Sequence, residues 1–317
     1  MPIRAERFLA AAIQNLEPLR GTFVHAQVIR DLREKTEQVD SGYGRWLAAL
    51  LPWLGGRCGL DRPARVLDFG CGSGELGVLM HSLGYDVSGV DVHAAHLQLA
   101  RILAEENGLS ADRFVLHESG PLPFPDGAFD IVTMHSVFEH LSDEVLERVL
   151  PEIRRVCSGV LYILVPNRFK PEDDHTGLAL VNWMPRWLAA RYARARGQYH
   201  RYGISKDGSW DVYPRTWWAV CRRLKRHGFD VDFIPDEFVY PPLVKARPLY
   251  RPGAGRGWKS LLFAPLRGLC RVLVTGGMPR QAFYPYLNLV MTETRRQPKS
   301  GSVNGWSPGG GESAACV

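Results

Sequence analysis

Among its six cysteines, Cys58, Cys71, Cys157, Cys221, Cys270 and Cys316, this 317-residue chain has no C-x-x-C pair. That excludes zinc ribbons and thioredoxin-type dithiols, and reduced thiols in a cytosol are the simplest account. An uninterrupted apolar run is missing too. The most apolar window, 258–274, reads WKSLLFAPLRGLCRVLV, and Pro265, Arg267 and Arg271 break it. A membrane-spanning helix needs about 20 predominantly apolar residues. The opening MPIRAERFLAAAIQNLEPLR has a basic start but no signal-peptide core, since Gln14, Asn15 and Glu17 interrupt it. Leu9, Ala12, Ile13 and Leu16 share one face there and predict an amphipathic helix. No internal repeat is evident. The stretch 295–317 has almost no apolar residues and is expected to be disordered. Charge is plentiful: 39 Lys+Arg against 33 Asp+Glu leave a net +6, which permits an anionic partner without choosing one.

What is present is an alternation of short apolar runs with helical patterns. Strands are expected at Arg65–Phe69, Asp86–Asp91, Phe114–His117, Phe129–Met134, Val160–Val165 and Phe229–Phe233. Helices are expected at Glu75–Leu83, Ala94–Asn107, Ser142–Val156 and Pro214–His227, after a helical region over Ile3–Leu54. Such alternation argues a parallel sheet covered by helices on both faces.

The densest chemical signal is Val66–Gly74, VLDFGCGSG, a strand that ends in an acid and enters a glycine-rich turn. Gly72, Gly74 and Gly77 also fit G-x-G-x-x-G, the turn that cradles a dinucleotide pyrophosphate. Asp68 separates the two readings. A carboxylate at the carboxyl end of that strand repels a pyrophosphate and favours a ligand carrying an ammonium or a sulfonium. Asp91 ends the next strand, DVSGVD, and in either cofactor class would accept hydrogen bonds from two ribose hydroxyls.

Taken with FVLHESGPLPFPDGAFD over Phe114–Asp130 and IVTMHSVFEHL over Ile131–Leu141, the segment resembles the class I S-adenosylmethionine (SAM)-dependent methyltransferases. The matching pieces run roughly from Arg65 to Val165, with a weaker match at Pro214–Phe233. The resemblance implies a Rossmann-like, doubly wound, seven-stranded, mostly parallel α/β sheet, with an antiparallel last strand at Tyr286–Glu293. It implies SAM as cofactor, held by Asp68, Gly70, Cys71, Gly72 and Gly74 in the first turn. Asp91 would hold the ribose, Val92 the adenine face, Glu118 the adenine amino group and the Ser119 N–H the ring. Met134 and His135 would lie in the turn beneath the methyl donor. The family usually carries Asp where Glu118 stands, so that contact would come from a longer arm.

The expected organisation is a helical extension over 1–60, a methyltransferase domain over 61–294 with insertions at 166–211 and 234–281, and the tail at 295–317. The first insertion follows a strand's carboxyl end and is placed to act as a lid. Its Trp183, Trp187, Leu188 and Tyr192 could face substrate, although aromatics at helical spacing more often face a core. A hydroxyl acceptor needs a base, and His140, His135 and His175 are the candidates. No metal is expected, because the short run Asp173, Asp174, His175 is of a kind usually just solvated. The Asn/Asp-Pro-Pro-aromatic motif of base methylation is absent after the fourth strand, so no nucleic-acid partner is expected. A small-molecule, sugar or lipid-linked acceptor is favoured, with a cytoplasmic location and peripheral membrane contact through 258–274. A catalytically silent SAM-binding module and an NAD-dependent oxidoreductase are the alternatives.

Overall fold

The computed structural model describes residues 3–21, 23–37, 42–199, 209–239 and 264–293. Continuous apolar runs such as VLYILV in Cys157–Pro166 cannot leave one sheet face in water, so helices must cover both faces. Seven strands form one sheet: β1 (Arg65–Phe69), β2 (Asp86–Asp91), β3 (Phe114–Leu116), β4 (Phe129–His135), β5 (Cys157–Pro166), β6 (Phe229–Phe233) and β7 (Tyr286–Glu293). Their order is β3-β2-β1-β4-β5-β7-β6. β1 pairs in parallel with both β2 and β4, which sets Asp68 opposite Gly89 on one side and Thr133 on the other. β7 runs antiparallel between β5 and β6. The chain reverses its winding direction between β1 and β4, and such a switch point leaves a crevice at the carboxyl ends of the strands.

On one face the sheet is covered by α1 (Glu6–Leu16), α2 (Phe23–Glu37), α3 (Gly42–Arg57), α4 (Glu75–Ser82) and α5 (Ala94–Glu106), whose Phe8, Leu50, Leu51, Leu79 and Leu103 join one buried cluster. The opposite face carries α6 (Asp143–Val156), α8 (Trp217–Arg226) and α9 (Ala264–Thr275), which contribute Leu146, Leu150, Leu224 and Cys270. Between α6 and α8 comes the insertion, with its helix α7 (Arg186–Ala195). At the amino end of the sheet Asp130 ties β1 to β4. It accepts from the Arg65 backbone N–H at 2.8 Å, from Arg65 Nη2 at 2.8 Å and from Arg62 Nη2 at 3.2 Å. Burial alone would raise its pKa, but these bonds outweigh it and hold the carboxyl at about 2.

Several boundaries differ from the sequence reading, each for a tertiary reason. β5 begins at Cys157 rather than Val160, because pairing of Cys157 with Phe129 overrides the poor strand propensity of Ser158 and Gly159. α8 begins at Trp217 rather than Pro214, with the Thr216 hydroxyl capping the Ala219 N–H. Tyr213 and Arg215 are drawn instead onto the turn after β4. In α1 the buried stripe is Phe8, Ala12 and Leu16, while Ile13 faces solvent, since the largest ring sets the face that packs on α5. In α7 the packed face is alanine: Ala189, Ala190 and Ala193 lie against Val181, Trp210 and Val212, leaving Trp187 65% exposed. The tail 295–317 and the part of the apolar window at 258–263 lie outside the described residues. No helix among the described residues is long and apolar enough to cross a membrane.

Candidate active site

The β1–α4 turn is shaped by two glycines. Gly70 has φ +74°, and a Cβ there would stand 2.4 Å from Val137 Cγ2, so the turn lies directly against the segment that follows β4. Gly74, at φ +83°, begins α4 where a Cβ would be 2.7 Å from that of Ala100. Only glycine meets both demands. The turn is fixed to β2 by the Gly70 and Cys71 N–H groups, which donate to the Val90 carbonyl at 2.8 and 3.0 Å. Burial and the surrounding carboxylates push the Cys71 thiol well up, so it packs as a neutral side chain.

Two acids line this half of the crevice. Asp68 is buried and accepts from the Thr133 hydroxyl at 3.1 Å, a contact that follows from their strand register. Asp91 accepts from the Gly72 N–H at 2.9 Å and the His93 N–H at 2.8 Å. A carboxylate has about four acceptor positions, so Asp91 is held in place and keeps capacity for ribose hydroxyls. Beyond it, Val92 follows β2 and Leu116 ends β3, with 45% and 43% of their surface exposed. Apolar side chains left open at adjacent strand ends suit the face of an adenine ring. Glu118 and Ser119 are exposed just beyond β3, and Met134 is buried within β4. These residues fit SAM, a nucleoside that carries an amino acid and a sulfonium but no phosphate.

The other half is assembled around the turn after β4. His135 ends β4, and its Nε2 lies 3.1 Å from the Tyr43 hydroxyl of α3. Ser136 follows at φ +56°, a conformation uncommon for a non-glycine residue, and redirects the chain. The next three residues, Phe138–His140, form a single 3₁₀ turn. Arg215 clamps this turn from below, donating from Nη1 to the Phe138 carbonyl at 3.0 Å and from Nη2 to the Leu141 carbonyl at 2.7 Å. The Tyr213 N–H donates to the Glu139 carbonyl at 2.7 Å. The insertion therefore closes back onto the segment it covers.

Here His140 and His175 meet. Their Nε2 atoms are 3.1 Å apart, with the rings at 89° to each other. His175 Nδ1 lies 3.2 Å from Asp173 Oδ1, and His140 Nδ1 lies 3.5 Å from Asp211 Oδ1. Burial would lower the pKa of His175, but the charge and hydrogen bond of Asp173 raise it overall. Asp173 also accepts from the Thr176 N–H at 2.9 Å and hydroxyl at 2.7 Å. Asp174 turns elsewhere, to Lys170 and the Tyr286 hydroxyl. Glu139 is only 2% exposed, and burial pushes its carboxyl up to about 7 against the pull of His140.

The structure thus brings two of the three candidate histidines together and leaves His135 engaged by α3. It separates the run Asp173, Asp174, His175 into groups that face different partners. Sequence reasoning did not assign Glu139 a place in the cluster, and missed Asp211, Arg215 and Tyr43. The one local signal was the Glu-His pair in the turn after a strand; the other three come from segments 71 or more residues away from it.

Comparison with known proteins adds the following. A family described as "Methyltransferase domain" matches residues 66–159. A ubiquinone biosynthesis O-methyltransferase of Cereibacter sphaeroides is 32% identical over 159 residues, covering 48% of this chain and 58% of that protein. The chain therefore spans little more than half the length of that relative. A demethylmenaquinone methyltransferase of Thermus thermophilus is 40% identical over 173 residues, covering 54% of this chain and 76% of that protein. Among solved structures, a SAM-dependent methyltransferase from Mesorhizobium loti aligns with a TM-score of 0.46 at 17% identity, covering 80% of this chain and 99% of that one.

Proposed function

The chain belongs to the class I SAM-dependent methyltransferases, and from that premise we propose that it methylates a hydroxyl oxygen of a small, partly apolar acceptor at the His140–His175 pair. SAM, when bound, supplies a methyl group made electrophilic by its own sulfonium. Asp91, Val92 and the Gly70–Gly74 turn would hold it, with Glu118 and Ser119 at the adenine edge. The protein's remaining task is to position the acceptor oxygen and remove its proton.

The observation that carries this reading is the pair of imidazoles at 3.1 Å, each with a carboxylate behind its outer nitrogen. Such backing fixes the rings and stabilises a positive charge on them, as proton uptake requires. An amine acceptor would only need to be unprotonated, so it would gain less from the arrangement. One relative is named a ubiquinone biosynthesis O-methyltransferase and the other a demethylmenaquinone methyltransferase, which makes quinone precursors the first acceptors to try. Sugars and lipid-linked hydroxyls come next.

An apolar acceptor would be met at a lipid surface. On α9, Leu269 is 54% and Val272 66% exposed beside the exposed Arg271, a pairing suited to peripheral contact with an anionic interface. That supports peripheral membrane contact through α9, the described part of the expected 258–274 surface. The direct test is a screen of hydroxylated acceptors with labelled SAM, read by mass spectrometry, beside calorimetry of SAM and NAD. A methylated oxygen supports the proposal. Transfer to nitrogen or carbon alone would overturn it, and SAM binding with no transfer to any acceptor would favour a silent module.

A further inference from the structure

Among the described residues one group of ligand-type side chains converges: Glu139, His140 and His175 each place a donor atom within 4.8 Å of the others. The two Nε2 atoms face each other, and both outer Nδ1 atoms face carboxylates, Asp211 and Asp173. A carboxylate behind the outer nitrogen is the arrangement that orients a metal-ligating imidazole and makes it more basic. Bonds of about 2.0–2.1 Å from one metal ion to two imidazoles leave their nitrogens about 3.0–3.4 Å apart. The observed 3.1 Å lies in that range.

Glu139 supplies a second, independent observation. Its Oε2 is buried and has no hydrogen-bond partner among the described residues. A carboxylate buried in that way is costly unless something positive meets it. The nearby cations are committed elsewhere: Lys170 to Asp174, and Arg215 to Asp143 and three carbonyls. Glu139, Asp173 and Asp211 are left around two imidazoles. These acidic groups around two imidazoles make a donor set that suits a dication.

We propose that Glu139, His140 and His175 bind one divalent first-row transition-metal ion through the Glu139 carboxylate and the two Nε2 atoms. Two imidazoles and one carboxylate suit Zn²⁺, Co²⁺, Mn²⁺ or Fe²⁺ better than the oxygen-seeking Mg²⁺ and Ca²⁺. Three protein ligands leave a coordination position open, as in catalytic rather than structural sites. Resting on the methyl-transfer reading, that position takes the acceptor oxygen, and activation by the ion replaces direct proton uptake by the imidazoles. The ion lowers the hydroxyl's pKa and its proton passes to solvent; the oxygen then attacks the methyl carbon as the carbon–sulfur bond breaks, leaving a neutral thioether. Of the run Asp173, Asp174, His175, from which the sequence suggested no metal, only His175 is a ligand here. Asp173 acts behind it.

The test is metal binding by the full chain, read without turnover. After chelation and removal of the chelator, Co²⁺ is titrated by its visible spectrum and Zn²⁺ by calorimetry. One equivalent is expected to bind, with Zn²⁺ displacing Co²⁺. Glu139→Gln and His175→Asn are each expected to weaken binding at least tenfold. Asp173→Asn and Asp211→Asn should weaken it about 10–100-fold, because they act behind the ligands. His81→Gln, on α4, should change nothing. Saturation absent below about 0.1 mM in the wild type would overturn the site whatever the variants do. So would equal affinity in folded Glu139→Gln and His175→Asn. Failure of binding while hydroxyl methylation persists would leave direct proton uptake by imidazole. Binding without methylation of any hydroxyl would keep the site and remove its assigned role.

Discussion

The two halves of the crevice are built in different ways. The nucleoside half comes from consecutive strand–turn–helix units between Arg65 and Ser119, and its contacts are local or set by one strand register. The acceptor half draws on α3, the turn after β4, the insertion, the approach to α8 and the start of β7: Tyr43, Glu139, His175, Asp211, Arg215 and Tyr286. A half made from neighbouring segments can be held by backbone bonds and glycine conformations. A half made from distant segments must be tied together by buried polar side chains, and each such tie is a group that can also do chemistry.

The largest expected effect separates the halves most cleanly. His140→Ala should lower turnover about 10²–10⁴-fold while leaving SAM affinity, by calorimetry, unchanged. A joint loss of both would show that the acceptor turn also supports the nucleoside. In the other direction, Asp91→Ala should weaken SAM by about 1.5–3 kcal/mol, tenfold or more, and leave Co²⁺ binding intact. Unchanged SAM affinity would mean that the ribose is held elsewhere.

Asp130 tests the frame that both halves share. Its folded pKa of about 2 lies below the ordinary 3.8, so its stabilisation is fully present above pH 4 and is lost as pH falls through 2. That is worth about 2 kcal/mol at neutral pH, and the partly exposed Arg62 and Arg65 make it an upper figure. Urea unfolding of Asp130→Asn should show the loss at pH 7 and a flatter profile between pH 4 and 2. A profile as steep as the wild type's would place the acid sensitivity elsewhere.

The smallest effect concerns the boundary between the halves. Tyr43→Phe removes the hydroxyl 3.1 Å from His135 and should cost about 0.5–1.5 kcal/mol of stability with turnover within a few-fold. A hundredfold loss of turnover would move His135 into the acceptor chemistry and break the division as drawn.

By itself the sequence determined the sheet, its helices and the glycine turn between β1 and α4. Asp68 and Asp91 close the two strands beside the glycine turn, and Asp91 accepts from the His93 N–H two residues on. An acid at a strand end or a glycine at positive φ leaves the same local trace in any chain that uses it. The family resemblance rested on that stretch as well. Only the tertiary structure decided which of ten histidines converge and what they face. Residues 35 apart, His140 and His175, meet because Tyr213 and Arg215 fasten the returning insertion to the turn after β4. Asp211 leaves no mark as a partner in the linear order, because its convergence with His140 depends on loop closure over tens of residues. Such closure is fixed by the packing of the whole domain, and no periodicity or spacing along the chain records it.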